Sequence, residues 1–130
     1  PLTESYDINR AIELLESMRP KADSIVGVSE VVSTHPVFDA KITQEGLISP
    51  YVGEDFSGAV RRQEIEELYF FEGSLYISDV KILLEIQTFY HSRTLPYIVP
   101  KWKSFEVDDM VDLICIEAIM KNLTLLKEKD

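Results

Sequence analysis

The chain has 130 residues, 45% of them hydrophobic, with 23 acidic against 13 basic side chains and a net charge of −10. That length is one domain with enough apolar content for a core. The negative balance excludes sequence-independent binding to nucleic acid, and no apolar run approaches the ~20 residues of a membrane span. The lone cysteine, Cys115, excludes an internal disulfide, and no basic-then-apolar leader is seen, so a cytoplasmic protein is expected.

In chain order, a first helix is predicted over residues 6–18, with Ser5 as N-cap and Asp7 at the positive end of the helix dipole. Ile8, Ala11, Ile12, Leu15 and Met18 recur at helical spacing as a predicted buried stripe, and Pro20 stops the helix. Residues 23–32 are dense in β-branched side chains and read as a buried strand. Gly27 inside it implies a bend or a close approach. Residues 35–52 read as short strands about a turn at Gln44-Glu45-Gly46, with Ile42 opposite Leu47 and Ile48. Residues 53–58 read as a polar loop.

Residues 61–77 join a basic corner, Arg61-Arg62-Gln63, to an aromatic strand with Gly73 in its middle. A helix over 78–86 follows, capped by Ser78 or Asp79, with Ile82, Leu83 and Ile86 facing the core. Phe89-Tyr90-His91 is an aromatic loop, and residues 94–99 are a strand closed by Pro100. Phe105 and Val107 alternate with Glu106 and Asp108, which is strand periodicity. The last helix, 109–123, is apolar almost all round, as for a helix packed on a sheet. Strands alternating with helices, plus one antiparallel arm, give an α/β class.

Two carboxylates two apart on a strand share a face, so Glu106 and Asp108 suit Mg²⁺, which takes oxygen donors and substrate phosphates. The alternative is that Asp108 or Asp109 caps the following helix. Arg61 and Arg62 can grip a carboxylate or phosphate through two parallel bonds, or pair on the surface with Glu64, Glu66 or Glu67. Aromatic residues at strand spacing, such as Tyr69, Phe70 and Tyr76, are ordinarily core. His35 and His91 lie far apart, without the order or spacing of a nucleophilic triad or a zinc site. No glycine-rich loop for phosphates is present.

Taken together, Arg62-Gln63, Tyr69, Glu72-Gly73-Ser74, Tyr76, and then Glu106 and Asp108 resemble the C-terminal half of the acylneuraminate cytidylyltransferases. Pro1-Leu2-Thr3 and His35-Pro36 are similar to further landmarks of that family. The resemblance implies the second half of a three-layer, Rossmann-like nucleotide-diphospho-sugar transferase sheet. Residues 1–130 would be the C-terminal part of that domain, with residues 35–60 as an antiparallel dimerisation arm. It further implies transfer of CMP from CTP to an acidic nine-carbon α-keto sugar by a homodimer, with Mg²⁺ on Glu106 and Asp108. Substrate contacts would come from Arg61, Arg62, Lys41, Glu72, Tyr76, Phe89 and Tyr90. No catalytic residue is expected within these residues, because the family's triphosphate loop lies upstream. A longer native protein is therefore expected, and these 130 residues alone are expected to be inactive. Thr3, Glu72 and Glu106 depart from the family's Arg, Asn and Asp. Glu72 cannot donate hydrogen bonds and would repel an anionic sugar. A non-catalytic dimerisation or interaction module on the same fold is the competing reading.

Overall fold

In α1 (Ser5–Ser17), Asp7, Ala11 and Leu15 point inward at i, i+4, i+8. The computed structural model that shows this describes residues 1–32, 34–53, 55 and 65–128. The inward stripe is narrower than the predicted one: Ile8, Ile12 and Met18 are exposed. The cap also differs. Glu4, not Ser5, is the N-cap, in a reciprocal capping box with Asp7. Glu4 N donates to Asp7 Oδ2 at 2.8 Å, Asp7 N donates back to Glu4 O at 3.0 Å, and Ser5 becomes the first helical residue.

Strand β1 (Ser24–Glu30) is the buried strand expected, closed to solvent along all but its last residue. In the unit formed by Pro1–Ser29 and Phe70–Asp130 it is the middle strand of three, in the order β4-β1-β5. Strand β5 (Thr94–Ile98) runs parallel to it, with Ser24 opposite Thr94 and Gly27 opposite Tyr97. Strand β4 (Tyr69–Ser78) ends where β1 begins, through Asp79 N to Asp23 O at 2.8 Å, and so runs antiparallel. The sheet is mixed and carries helices, which is an α/β class. Ala11, Leu15, Ala22, Ile25 and Leu75 form the core between α1 and the sheet, with Ile77, Leu95 and Tyr97 packed against them.

Helix α2 (Val80–Ile86) is capped by Asp79, whose Oδ1 accepts from Lys81 N at 2.9 Å. Ile82 and Leu83 are half-buried, whereas Ile86 is exposed. The predicted last helix is two: α3 (Met110–Lys121) and α4 (Leu123–Lys127), with Asn122 between them. Only Ile116 of α3 is buried, so its apolar girth is not covered on all sides by the described residues. The strand expected at residues 105–108 is absent. A 3₁₀ turn, Lys101–Lys103, leads into an irregular span and then into Asp109, the N-cap of α3. Alternation there reflects local composition, with no strand among the described residues paired to it by ladder hydrogen bonds.

The second unit, Glu30–Tyr69, contains the expected hairpin. Strands β2 (Ala40–Ile42) and β3 (Ile48–Pro50) pair antiparallel, with Ile42 opposite Ile48. Gly46 makes the turn at φ 77°, a left-handed conformation that favours glycine. His35 is buried as the cap of the 3₁₀ turn Pro36–Phe38. Its Nδ1 accepts from Val37 N (3.3 Å) and its Nε2 donates to Glu66 O (3.1 Å), so it is a neutral, fully partnered ring.

Candidate functional site

Gly73, at φ 77°, interrupts the alternation of β4. The two fully buried residues of the strand are consequently Glu72 and Leu75, three apart instead of two. Glu72 is 2% exposed. Its carboxylate lies over Gly27 of β1, where a Cβ would fall 2.9 Å from Glu72 Cδ and closer still to Oε1. The close approach expected at Gly27 is therefore the carboxylate of Glu72. Oε1 accepts from Ser74 Oγ (2.6 Å), while Oε2 is buried without a partner among the described residues.

Gly73 plays the same part for a second carboxylate: a Cβ there would sit 3.3 Å from Glu106 Cδ. The Glu106 carboxylate thus lies over Gly73, the residue that follows Glu72 on β4, and both carboxylates bear on Tyr76. The phenol of Tyr76 is pushed up to about 12, first by its hydrogen bond with Tyr90, then by burial and by the negative charge of Tyr90, Glu106 and Glu72.

The aromatic residues expected to wall a pocket form one cluster. Tyr76 meets Phe89 at 5.4 Å and Tyr90 at 6.2 Å between ring centroids, and the hydroxyls of Tyr76 and Tyr90 share a hydrogen bond at 3.2 Å. Phe71 joins them, 4.6 Å from Tyr90. The loop that carries Phe89 is fastened to the sheet, because Ser24 Oγ (2.8 Å) and Thr94 Oγ1 (2.7 Å) both donate to Phe89 O. A cleft of about 250 Å³ opens beside Tyr90, lined by Val26, Val28, Phe71, Tyr90, His91 and Thr94 among others. His91 Nδ1 accepts from Arg93 N at 3.2 Å, which leaves the proton on Nε2, and Nε2 is buried without a partner among the described residues.

Asp108 is exposed, and its backbone N–H donates to Asp112 Oδ2 at 3.0 Å. The helix is capped by Asp109, whose Oδ1 accepts from Val111 N (2.7 Å) and Asp112 N (3.1 Å). The carboxylates of Glu106 and Asp108 accept no hydrogen bond from the described residues and remain free as oxygen donors. No group of three or more metal-ligating side chains occurs among the described residues, so any ion here would take most of its ligands from water or substrate. Lys41 belongs to the second unit, its amine 5.0 Å over the ring of Tyr51. Arg61 and Arg62 lie outside the described residues.

The sequence missed one constellation. Lys103 is 8% exposed, and its amine donates to Asp7 Oδ2 (2.7 Å), Asp7 Oδ1 (2.9 Å) and Glu4 Oε2 (2.9 Å). Burial works against its charge, but Asp7 and Glu4 outweigh it and hold the amine above its ordinary value. No local signal marks it, since a lysine in Pro100-Lys101-Trp102-Lys103 reads as a solvated turn.

No family model matches the chain. Among curated proteins it is 34% identical over 114 residues to an N-acylneuraminate cytidylyltransferase of Streptococcus agalactiae serotype V, covering 88% of this chain. It is 33% identical over 114 residues to the proteins of the same name from serotypes III and Ia. The chain spans about a quarter of the length of these relatives, 26%. Across nearly all the residues that build the sheet, the aromatic cluster and the acidic pair, this chain is a homologue of one part of the N-acylneuraminate cytidylyltransferases.

Proposed function

We propose that the chain is the sugar- and metal-binding part of a cytidylyltransferase. It would transfer CMP from CTP to a nine-carbon α-keto sugar acid and release pyrophosphate. The observation that carries this is the similarity to three cytidylyltransferases over 88% of the chain. In support, Tyr76, Phe89, Tyr90, Glu72 and Glu106 gather in one region of one unit.

In this reaction the anomeric hydroxyl oxygen forms a bond to the α-phosphorus, and the bond from that phosphorus to the pyrophosphate oxygen breaks. The hydroxyl proton leaves to solvent or a base. Such transfer rests on positioning and charge neutralisation. Glu106 and Asp108, free carboxylates on a short span, would hold Mg²⁺. When bound, that ion would offset the charge of the phosphates. The aromatic cluster would orient the sugar, and cationic side chains would meet its carboxylate or the phosphates. The hairpin of the second unit would serve as a dimer arm, because Ile42 and Ile48 are 80% and 68% exposed on a strand pair too small to stand alone.

The second reading, an interaction module without catalysis, is favoured by Glu72, a buried carboxylate with one oxygen unpartnered. One experiment separates the two: the full-length protein with CTP, Mg²⁺ and a panel of nine-carbon sugar acids. CTP-dependent release of pyrophosphate with any of them supports the enzyme. No release with all of them leaves the module.

A further inference from the structure

Resting on the metal reading above, we infer that the buried ion pair Lys103–Asp7 is the positioning device for the acidic pair Glu106 and Asp108. The carboxylates sit on an irregular span between β5 and α3, without ladder hydrogen bonds to set their place. What sets it is the two ends. Downstream, Asp112 Oδ2 accepts from both Asp108 N and Asp109 N at 3.0 Å, tying the span to the first turn of α3. Upstream, all three protons of the Lys103 amine are used on Asp7 and Glu4.

Asp7 is itself buried and hydrogen-bonded. It is 6% exposed, accepts from Glu4 N at 2.8 Å and from Tyr97 Oη at 3.3 Å, and stands on the first turn of α1. Tyr97 is the neighbour of Gly27 across the sheet, and Gly27 is the floor under Glu72. The residue after Glu72, Gly73, is in turn the seat of Glu106. The anchor and the carboxylate it aims are therefore both referred to β1, the anchor through Tyr97 of β5 and the carboxylate through Gly73 of β4.

An apolar contact at residue 103 would allow the span to slide. A bidentate charge pair fixes direction as well as distance, even where it adds little net stability over an apolar pair. A metal pair needs that precision, because its ligands work only within about half an ångström of their productive places.

The test is Mn²⁺ binding to the full-length protein, followed by the electron paramagnetic resonance signal of the free ion, well below the melting temperature of each variant. Lys103→Met is expected to weaken Mn²⁺ at least tenfold while the protein still melts cooperatively. Lys103→Arg keeps the charge pair on a longer side chain and is expected to weaken Mn²⁺ two- to threefold. If Lys103→Met does not fold, Lys103→Arg decides. Asp108→Asn is the control for the metal reading. If Asp108→Asn weakens Mn²⁺ but the folded Lys103 variants bind as wild type, the positioning role is overturned and the metal reading stands. If Asp108→Asn also binds as wild type, both fall.

Discussion

Glu72 lies directly on Gly27, its carboxylate filling the space that any larger residue of β1 would need. Glycine in the middle of a buried strand ordinarily weakens it, so the position is explained by what lies above it. The expected consequence is a coupled pair. Gly27→Ala should lower stability by about 1–3 kcal/mol through overpacking, and Glu72→Ala in the same chain should relieve much of that. A double-mutant cycle by denaturant unfolding checks it. Strict additivity would mean the two sites do not touch.

Removing one partner of a buried ion pair leaves the other charge unpaired. Lys103→Met should therefore destabilise the protein by about 3–5 kcal/mol, and Asp7→Leu together with Lys103→Met should recover most of the loss. Equilibrium unfolding of the three variants measures this. A single variant as stable as wild type would show that the pair carries no strain when broken.

Three carboxylates are held below their ordinary values by hydrogen-bonded cations: Asp23 by Arg93, Asp79 by Arg19, and Glu4 by Lys127 and Lys103. The unfolded chain then binds protons more readily than the native one. The stability they contribute is present above the ordinary values, 3.8 for Asp and 4.5 for Glu, and is lost as pH falls through the lower native ones. Melting temperature should drop steeply below about pH 4. Asp23→Asn should flatten part of that drop, as seen in a series of thermal melts from pH 5 to pH 2.

Tyr76 titrates in the opposite sense. Its folded value, about 12, lies above that of a free phenol, so its stabilising share is present below pH 10 and is lost as pH rises toward 12. Absorbance of the phenolate during alkaline titration should show Tyr76 among the last tyrosines to ionise, since Tyr69 and Tyr97 are also held above the ordinary value, by a hydrogen bond to Glu67 and by burial respectively. Tyr90→Phe removes the largest cause and should bring that step back toward 10. An unchanged titration would show that the hydroxyl pair is not formed in solution.

The hairpin offers a prediction about assembly. With Ile42 and Ile48 exposed opposite one another, the protein should have twice the mass of one chain by light scattering at micromolar concentration. Ile48→Glu, which places a charge in an apolar contact, should halve that mass without unfolding the hairpin unit. A monomeric wild type would remove the arm from the proposed mechanism.

Local rules were enough for much of this molecule. The density of β-branched residues in 23–32 determined a buried strand, turn chemistry at Gly46 determined the hairpin and the pairing of Ile42 with Ile48, and Asp79 was legible as a helix cap. The aromatic and acidic residues of the candidate site were singled out one by one through the family resemblance, since strand spacing alone read the aromatic ones as core. What they touch was not legible. Which side of α1 faces inward, and that Asp7 belongs to it, depends on where Lys103 and Tyr97 arrive from nearly a hundred residues away. The alternation at 105–108 looked like a strand, but a strand needs a neighbour, and tertiary structure supplied anchors at both ends of the span instead. Gly27 announced a close approach in the sequence. Only the pairing of β4 with β1, and the slip at Gly73, decided that the approaching group is a carboxylate. Periodicity and turn residues act over a few neighbours, whereas burial of a charge is settled by whichever distant partners can satisfy it.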